Sequence, residues 1–342
     1  MRFLALDGLR GIAALAVMIY HFTQHNGLHW LGGAWVAVDL FFILSGFVIA
    51  HSYSKSIDHG MSFSTFFLVR FVRLGPLYFV GLFAGVIAAL QLMMNDGNYD
   101  MRSDQLFNAA MLGVMGLPYL NNLDWPFGTV LIQGPIFPLN DPAWSLFFEL
   151  FVNILFFIFL KYFKKSVIIY IVLISYIVFI FFLLLGQENS GWGTSNFVYG
   201  FPRVISEFFL GVLFYQYSVH RRNFNSFILL IPFLYFLINY FQPWRLPVIG
   251  SLTIVPMLVI WLSGQVVGSN LGRVCRILGD LSYPIYILHF PIYRLLHQAG
   301  CLESYEPTVQ VLIASTVSLL AAFVFGRLDE VVRNYLKMKM AI

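Results

Sequence analysis

Ten runs of roughly 20 mostly apolar residues, separated by polar breaks, limit this sequence more than any other feature, because a helix of about that length crosses a bilayer. They centre near residues 10–26, 34–52, 68–94, 143–161, 166–185, 199–219, 226–241, 247–264, 281–298 and 308–326. Composition agrees: 59% of the residues are hydrophobic and 11% charged, against roughly 25% charged in a soluble domain. The expected fold is therefore all-α, a polytopic membrane protein of about ten transmembrane helices. Residues 1–342 read as a single membrane domain, with no internal repeat, no low-complexity tract and no soluble domain at either end.

The basic residues orient it, because short cytoplasmic loops retain Lys and Arg. With the N-terminus inside, sixteen of the twenty Lys and Arg fall at cytoplasmic ends, leaving Arg102, Arg203, Arg245 and Arg294 outside. That split predicts cytoplasmic N- and C-termini. The first run resembles a signal peptide but lacks a small-residue cleavage site, and Asp7 and Arg10 interrupt its start, so a retained span is expected. Cys275 and Cys301 fall on opposite sides in this topology, so no intrachain disulfide is expected. The net charge of +4 belongs to the inner face and gives no case for nucleic acid. The longest polar interval, about residues 95–141, lies outside and carries an apolar stretch, 106–117, too short to span.

Ionisable groups within the spans raise the functional question, since each costs about 2.5–3.5 kcal/mol at a helix centre on insertion scales. In "LDGLRGIAALAVMIYHF", Arg10 and His21 are eleven residues apart, three helical turns plus roughly 20°, so they share a face about 16 Å apart along the axis. A snorkelling anchor accounts for Arg10 alone, an interhelical hydrogen bond for His21 alone, and Asp7 is placed to neutralise Arg10. In "PAWSLFFEL", Ser145 and Glu149 share a face, with Glu149 about 9–10 Å in from the outer boundary. In "LSYPIYILHF", His289 lies at similar depth, so His21, Glu149 and His289 are expected at one level. Arg70 and Arg73 in "FFLVRFVRLGPLYFV" join Arg10 on the cytoplasmic side, explained equally by topology or by a phosphate clamp. Arg203 and Glu207 read as an i, i+4 ion pair, and Ser45 with Gly46 as close helix packing.

A cationic inner mouth leading to a buried imidazole and carboxylate suits a large anionic cytoplasmic donor and a general base acting on an acceptor hydroxyl. It also suits a transporter or flippase of an anionic solute, although the paired broken helices of such carriers are absent from the pattern.

The set "DGLRGIAALAVMIYHF", "VDLFFILSGFVIA", "FFLVRFVRLGPLYFV", "PAWSLFFELF", "RVISEFFLGVLF" and "LGDLSYPIYILHFPI" resembles the integral-membrane acyltransferase-3 family, which includes O-antigen acetylase-like enzymes that O-acylate sugars and other acceptors. The motifs follow the family's order over almost the whole chain. The resemblance implies a bacterial inner-membrane O-acyltransferase, most simply an acetyltransferase. Its donor would be cytoplasmic acetyl-CoA or another acyl-CoA, its acceptor a hydroxyl of a glycan or lipid-linked sugar, and no metal would take part. On it His21 would be the base, Glu149 its orienter or a second acid/base, and Arg10, Arg70 and Arg73 the phosphate clamp; Asp7, Ser145 and His289 are supporting candidates by position, with "SYPIYILH" equally readable as a packing motif kinked at Pro284. Two departures stand out. "LFVN" follows Glu149 where many relatives are rich in Phe and Tyr, and some relatives add a C-terminal hydrolase-like domain, so this core is expected to complete transfer itself or with a partner.

Overall fold

The computed structural model describes residues 2–95, 103–120, 134–163, 166–187, 189–217 and 250–340. These form α1 (Leu4–His25), α2 (Val36–Asp58), α3 (Phe63–Asn95), α4 (Ser103–Val114), α5 (Ala143–Tyr162), α6 (Val167–Leu184), α7 (Gly200–Gln216), α8 (Val255–Ser263), α9 (Ser269–Gln298) and α10 (Pro307–Met340). Among the described residues the fold is all-helical, with a single isolated bridge between Pro135 and Gly193.

Among the described residues seven helices, α1, α2, α3, α5, α6, α10 and α7 with its preceding 3-10 turn, are long and apolar enough to cross a membrane. The sequence reading of ten spans is broader than this, for identifiable reasons. The 226–241 run lies outside the described residues, and α8 has only nine residues behind a π turn at Gly250–Ile254. The thirty-residue α9 is long enough, at about 45 Å, but Arg273, Arg276, Asp280 and Arg294 dilute its apolar character. Helices α9 and α10 also run well past their apolar runs. Polar turns of α10 are held by ion pairs such as Arg333 to Asp329, 2.7 Å, which hydropathy does not register. Most of the 106–117 stretch, up to Val114, lies in the short α4, tied to α3 by Tyr78 Oη donating to Gly113 O at 2.5 Å.

Helix α9 is the hub, packing on α1, α3 and α10, while α2 packs on α7 and α7 on α6. Apolar side chains cannot drive helices together in lipid as they do in water, so close backbone approach and buried polar contacts carry the assembly. At the α2–α7 crossing, a Cβ on Gly46 would lie 1.9 Å from Phe208 O, and one on Gly211 2.0 Å from Ile43 O. The packing reading of Gly46 therefore agrees with the geometry. Since the obstructing atom is backbone, Gly46→Ala must push α7 away, and we expect a loss of about 1–3 kcal/mol, read as a lower melting temperature in detergent. An unchanged melting curve would rule out this packing.

Pro284 and Pro291 interrupt α9. Pro291 has no N–H to offer Ile287 O, and that carbonyl instead accepts from Asn140 Nδ2 at 3.1 Å. The loop before α5 is thereby anchored inside the protein: Asn140 is buried, and Arg294 of α9 donates to Pro138 O.

Candidate active site

Helices α1, α2, α3, α5 and α9 enclose a cavity of about 190 Å³ whose polar lining includes Arg10, Arg70, Arg73, Ser45, Glu149 and Tyr283. Arg70 and Arg73 share it because residues three apart on a helix project to one side. Arg70 Nη2 meets Glu149 Oε1 at 2.6 Å, and Ser45 Oγ donates to the same oxygen at 3.0 Å. Arg10 donates from Nε to Ser282 Oγ and from Nη2 to Gly279 O, both at 2.8 Å. Its Nη2 lies 3.4 Å from Asp7 Oδ1, and Asp7 also pairs with Arg2. Asp7 thus holds Arg10 from outside the cavity. Arg73 makes no ion pair or hydrogen bond among the described residues. Three guanidinium groups face one carboxylate, so the cavity is cationic and its rigid planar donors suit phosphate oxygens.

The second centre is a pair of histidines. His21 Nδ1 lies 2.8 Å from His289 Nε2, and His289 Nδ1 lies 2.9 Å from Ile285 O one turn earlier. His289 is fully buried and His21 only partly so. Phe290 packs against His21 with centroids 5.5 Å apart, and Phe22 against His289 at 5.9 Å.

The structure brings together some of the expected residues and separates others. His21 and His289 meet, but the hydrogen-bond partners of Glu149 are Arg70 and Ser45. Glu149 therefore sits with the arginines and does not orient His21. Contacts between the α5 region and α9 run in opposite directions, from Pro138 with Arg294 to Asn140 with Ile287 and Ser145 with Tyr286. From the Ser145–Tyr286 bond of 2.8 Å, Glu149 lies four residues toward the arginine end and His289 three toward the other, about 10 Å apart by helix rise. The sequence estimate counted inward from an assumed boundary at the start of α5, whereas the contacts of the 134–145 segment with α9 set the level of Glu149.

Arg203 is corrected too. Its Nη2 lies 2.5 Å from Asp39 Oδ1, and Nη1 donates to Ser190 O at 2.9 Å. Its salt bridge is thus with α2 and not with Glu207. Sequence reasoning missed Ser282, Tyr283 and Tyr286 as cavity residues and gave Ser45 no polar role. The spacing of Ser282, Tyr286 and His289 at i, i+4 and i+7 was the available signal, since it places three polar groups on one face of a buried helix.

This arrangement of arginines and histidines can be set beside known proteins. No solved structure matches the chain. A Rhizobium radiobacter protein named "Protein 2 in picA locus" is 40% identical over 160 residues, covering 44% of this chain and 79% of that protein. A Staphylococcus aureus (strain COL) protein named "Putative O-acetyltransferase" is 25% identical over 323 residues, 85% of this chain and 51% of its own length. A Bacillus subtilis (strain 168) protein named "Putative peptidoglycan O-acetyltransferase" is likewise 25% identical over 323 residues, 85% of this chain and 48% of its own. The chain spans about half the length of these two relatives. The family description "Acyltransferase domain" matches residues 3–327, and the chain therefore belongs to the acyltransferase-3 family of multi-pass membrane acyltransferases.

Proposed function

We propose that the protein is an O-acetyltransferase of the bacterial inner membrane that takes acetyl from cytoplasmic acetyl-CoA and delivers it to a hydroxyl of a glycan or lipid-linked sugar. The topology proposed is ten spans with both termini cytoplasmic, counting α9, the 226–241 run and the 247–264 run with the seven helices described. The observation that carries the donor assignment is the spacing. A cationic cavity and a histidine lie on one helix about 16 Å apart along its axis, and a coenzyme A thioester has its phosphates and its reactive carbonyl at opposite ends of an extended arm. The names of the S. aureus and B. subtilis relatives support acetyl as the group and a glycan as the acceptor.

On this reading Arg10, Arg70 and Arg73 bind phosphate oxygens, and Glu149 with Ser45 fixes the Arg70 guanidinium. His21 removes the proton from the acceptor hydroxyl as its oxygen bonds to the thioester carbonyl carbon. The carbon–sulfur bond then breaks, and the proton passes from His21 to the departing thiolate. The products are the ester and free coenzyme A.

Incubating purified protein with labelled acetyl-CoA and a crude glycolipid extract should release free coenzyme A and label a glycan or lipid-linked product. Solute flux into vesicles with no acyl product would favour a carrier instead. Arg73→Ala should weaken coenzyme A binding about tenfold, near 1.4 kcal/mol for a lost charge-assisted contact. It is the clean substitution, because Arg70→Ala would also strip Glu149 of its partner. In oriented vesicles coenzyme A should raise the melting temperature only from the inner face. Protection from the outer face alone, or unchanged affinity in Arg73→Ala, would overturn the donor placement.

A further inference from the structure

The hydrogen-bond chain through the two histidines determines which nitrogen of His21 can act as a base. The rings of His21 and His289 are within 9° of parallel with centroids 5.1 Å apart, yet their facing nitrogens are 2.8 Å apart. Parallel rings offset vertically could not bring two ring atoms so close at that centroid separation. The rings must meet edge to edge in nearly one plane, where the N–H bond and the facing lone pair both lie. The contact is therefore an in-line hydrogen bond, with one nitrogen protonated and the other not.

Ile285 O decides which. A carbonyl oxygen only accepts, so His289 Nδ1, 2.9 Å from it, carries a proton. Neutral imidazole has one N–H, which leaves His289 Nε2 as the acceptor for His21 Nδ1–H. The opposite polarity needs either two acceptors facing each other at Ile285 O or a doubly protonated His289. The latter would be a cation in a fully buried site where no carboxylate among the described residues hydrogen-bonds either ring, at a large desolvation cost. His21 Nε2 is then left with a free lone pair, and it makes no hydrogen bond among the described residues.

We infer that His289 is a positioning residue that holds His21 in the Nδ1–H tautomer, with Ile285 O fixing His289 and His21 Nε2 presented as the proton acceptor. The catalytic part of this inference rests on the reading of His21 as the general base. The tautomer assignment does not depend on it. The device has the logic of a base oriented by a third group, with a backbone carbonyl and a second imidazole where a carboxylate would otherwise serve. His289 does not touch substrate, because it is buried behind His21.

The test is nitrogen NMR of the full chain, labelled with ¹⁵N-histidine in lipid nanodiscs, assigned with His21→Ala and His289→Gln. Both rings should show a protonated Nδ1 and an unprotonated Nε2. In His289→Gln the side-chain carbonyl still accepts from His21 Nδ1–H, so the tautomer and most of the transfer rate should survive. In His289→Leu the acceptor is gone, His21 should move toward the Nε2–H form, and transfer should fall roughly 100-fold or more while coenzyme A still raises the melting temperature. A proton on His21 Nε2 in the unaltered protein overturns the inference whatever the activity. The stated tautomers combined with full transfer in His289→Leu overturn its catalytic meaning. The stated tautomers with full transfer in His21→Ala would instead overturn the base assignment and leave the hydrogen-bond chain standing.

Discussion

Replacing His21 with alanine is expected to lower acetyl transfer by roughly 100-fold to 10,000-fold, the usual contribution of a positioned general base, while leaving coenzyme A binding intact. The two effects should separate because the proposed clamp and the proposed base are apart. Arg10, on the same helix, lies about 16 Å from His21 by axial rise and is held by Ser282, Gly279 O and Asp7, none of which contacts the imidazole. Only His289 loses a hydrogen-bond partner, and its link to Ile285 O remains. Transfer and coenzyme A affinity measured on the same preparation decide the matter: normal transfer would reduce His21 to a packing residue. Arg10→Ala should show the reverse pattern, a higher donor requirement with a smaller loss at saturation.

Arg203→Leu is expected to cost about 3–5 kcal/mol of stability without acting on the arginine cavity at all. Arg203 is fully buried, and so are Asp39 and Glu207 beside it. The guanidinium donates from Nε to Asp39 at 2.6 Å and bonds Ser190 O, so it ties α7 both to α2 and to the loop before it. Removing it takes the guanidinium away from two buried carboxylates, Asp39 and Glu207, and their desolvation penalty is no longer offset by it. Thermal inactivation in detergent should therefore move to clearly lower temperature. The double substitution of Arg203 and Asp39 by leucine should recover part of the loss, because replacing a buried ion pair by apolar groups is often close to neutral, while Glu207 stays buried beside them. A single variant that melts with the unaltered protein, or a double variant worse than the single, would contradict the account.

The sequence by itself determined the class of the protein and the position of most helices. Long apolar runs have few alternatives in a bilayer, and the observed bounds of α1, α2, α3, α5 and α6 follow those runs closely. It also determined which polar groups were worth asking about, because a charged residue inside such a run is costly wherever it ends up. Arg10, Arg70, Arg73 and Glu149 line one cavity, and His21 meets His289, a residue 268 positions away.

Only the tertiary structure decided who pairs with whom. Glu149 went to Arg70 and not to the level of His21, and Arg203 took Asp39 from another helix over Glu207 one turn along its own. Each pairing depends on the depth and rotation of a helix, which hydropathy barely encodes when a span is apolar on every side. Depth was set by the anchored loop before α5, where Asn140 fills the carbonyl that Pro291 leaves open. Rotation was set where glycines such as Gly46 and Gly211 let backbones touch, and a single side chain added at either point would turn the helix away.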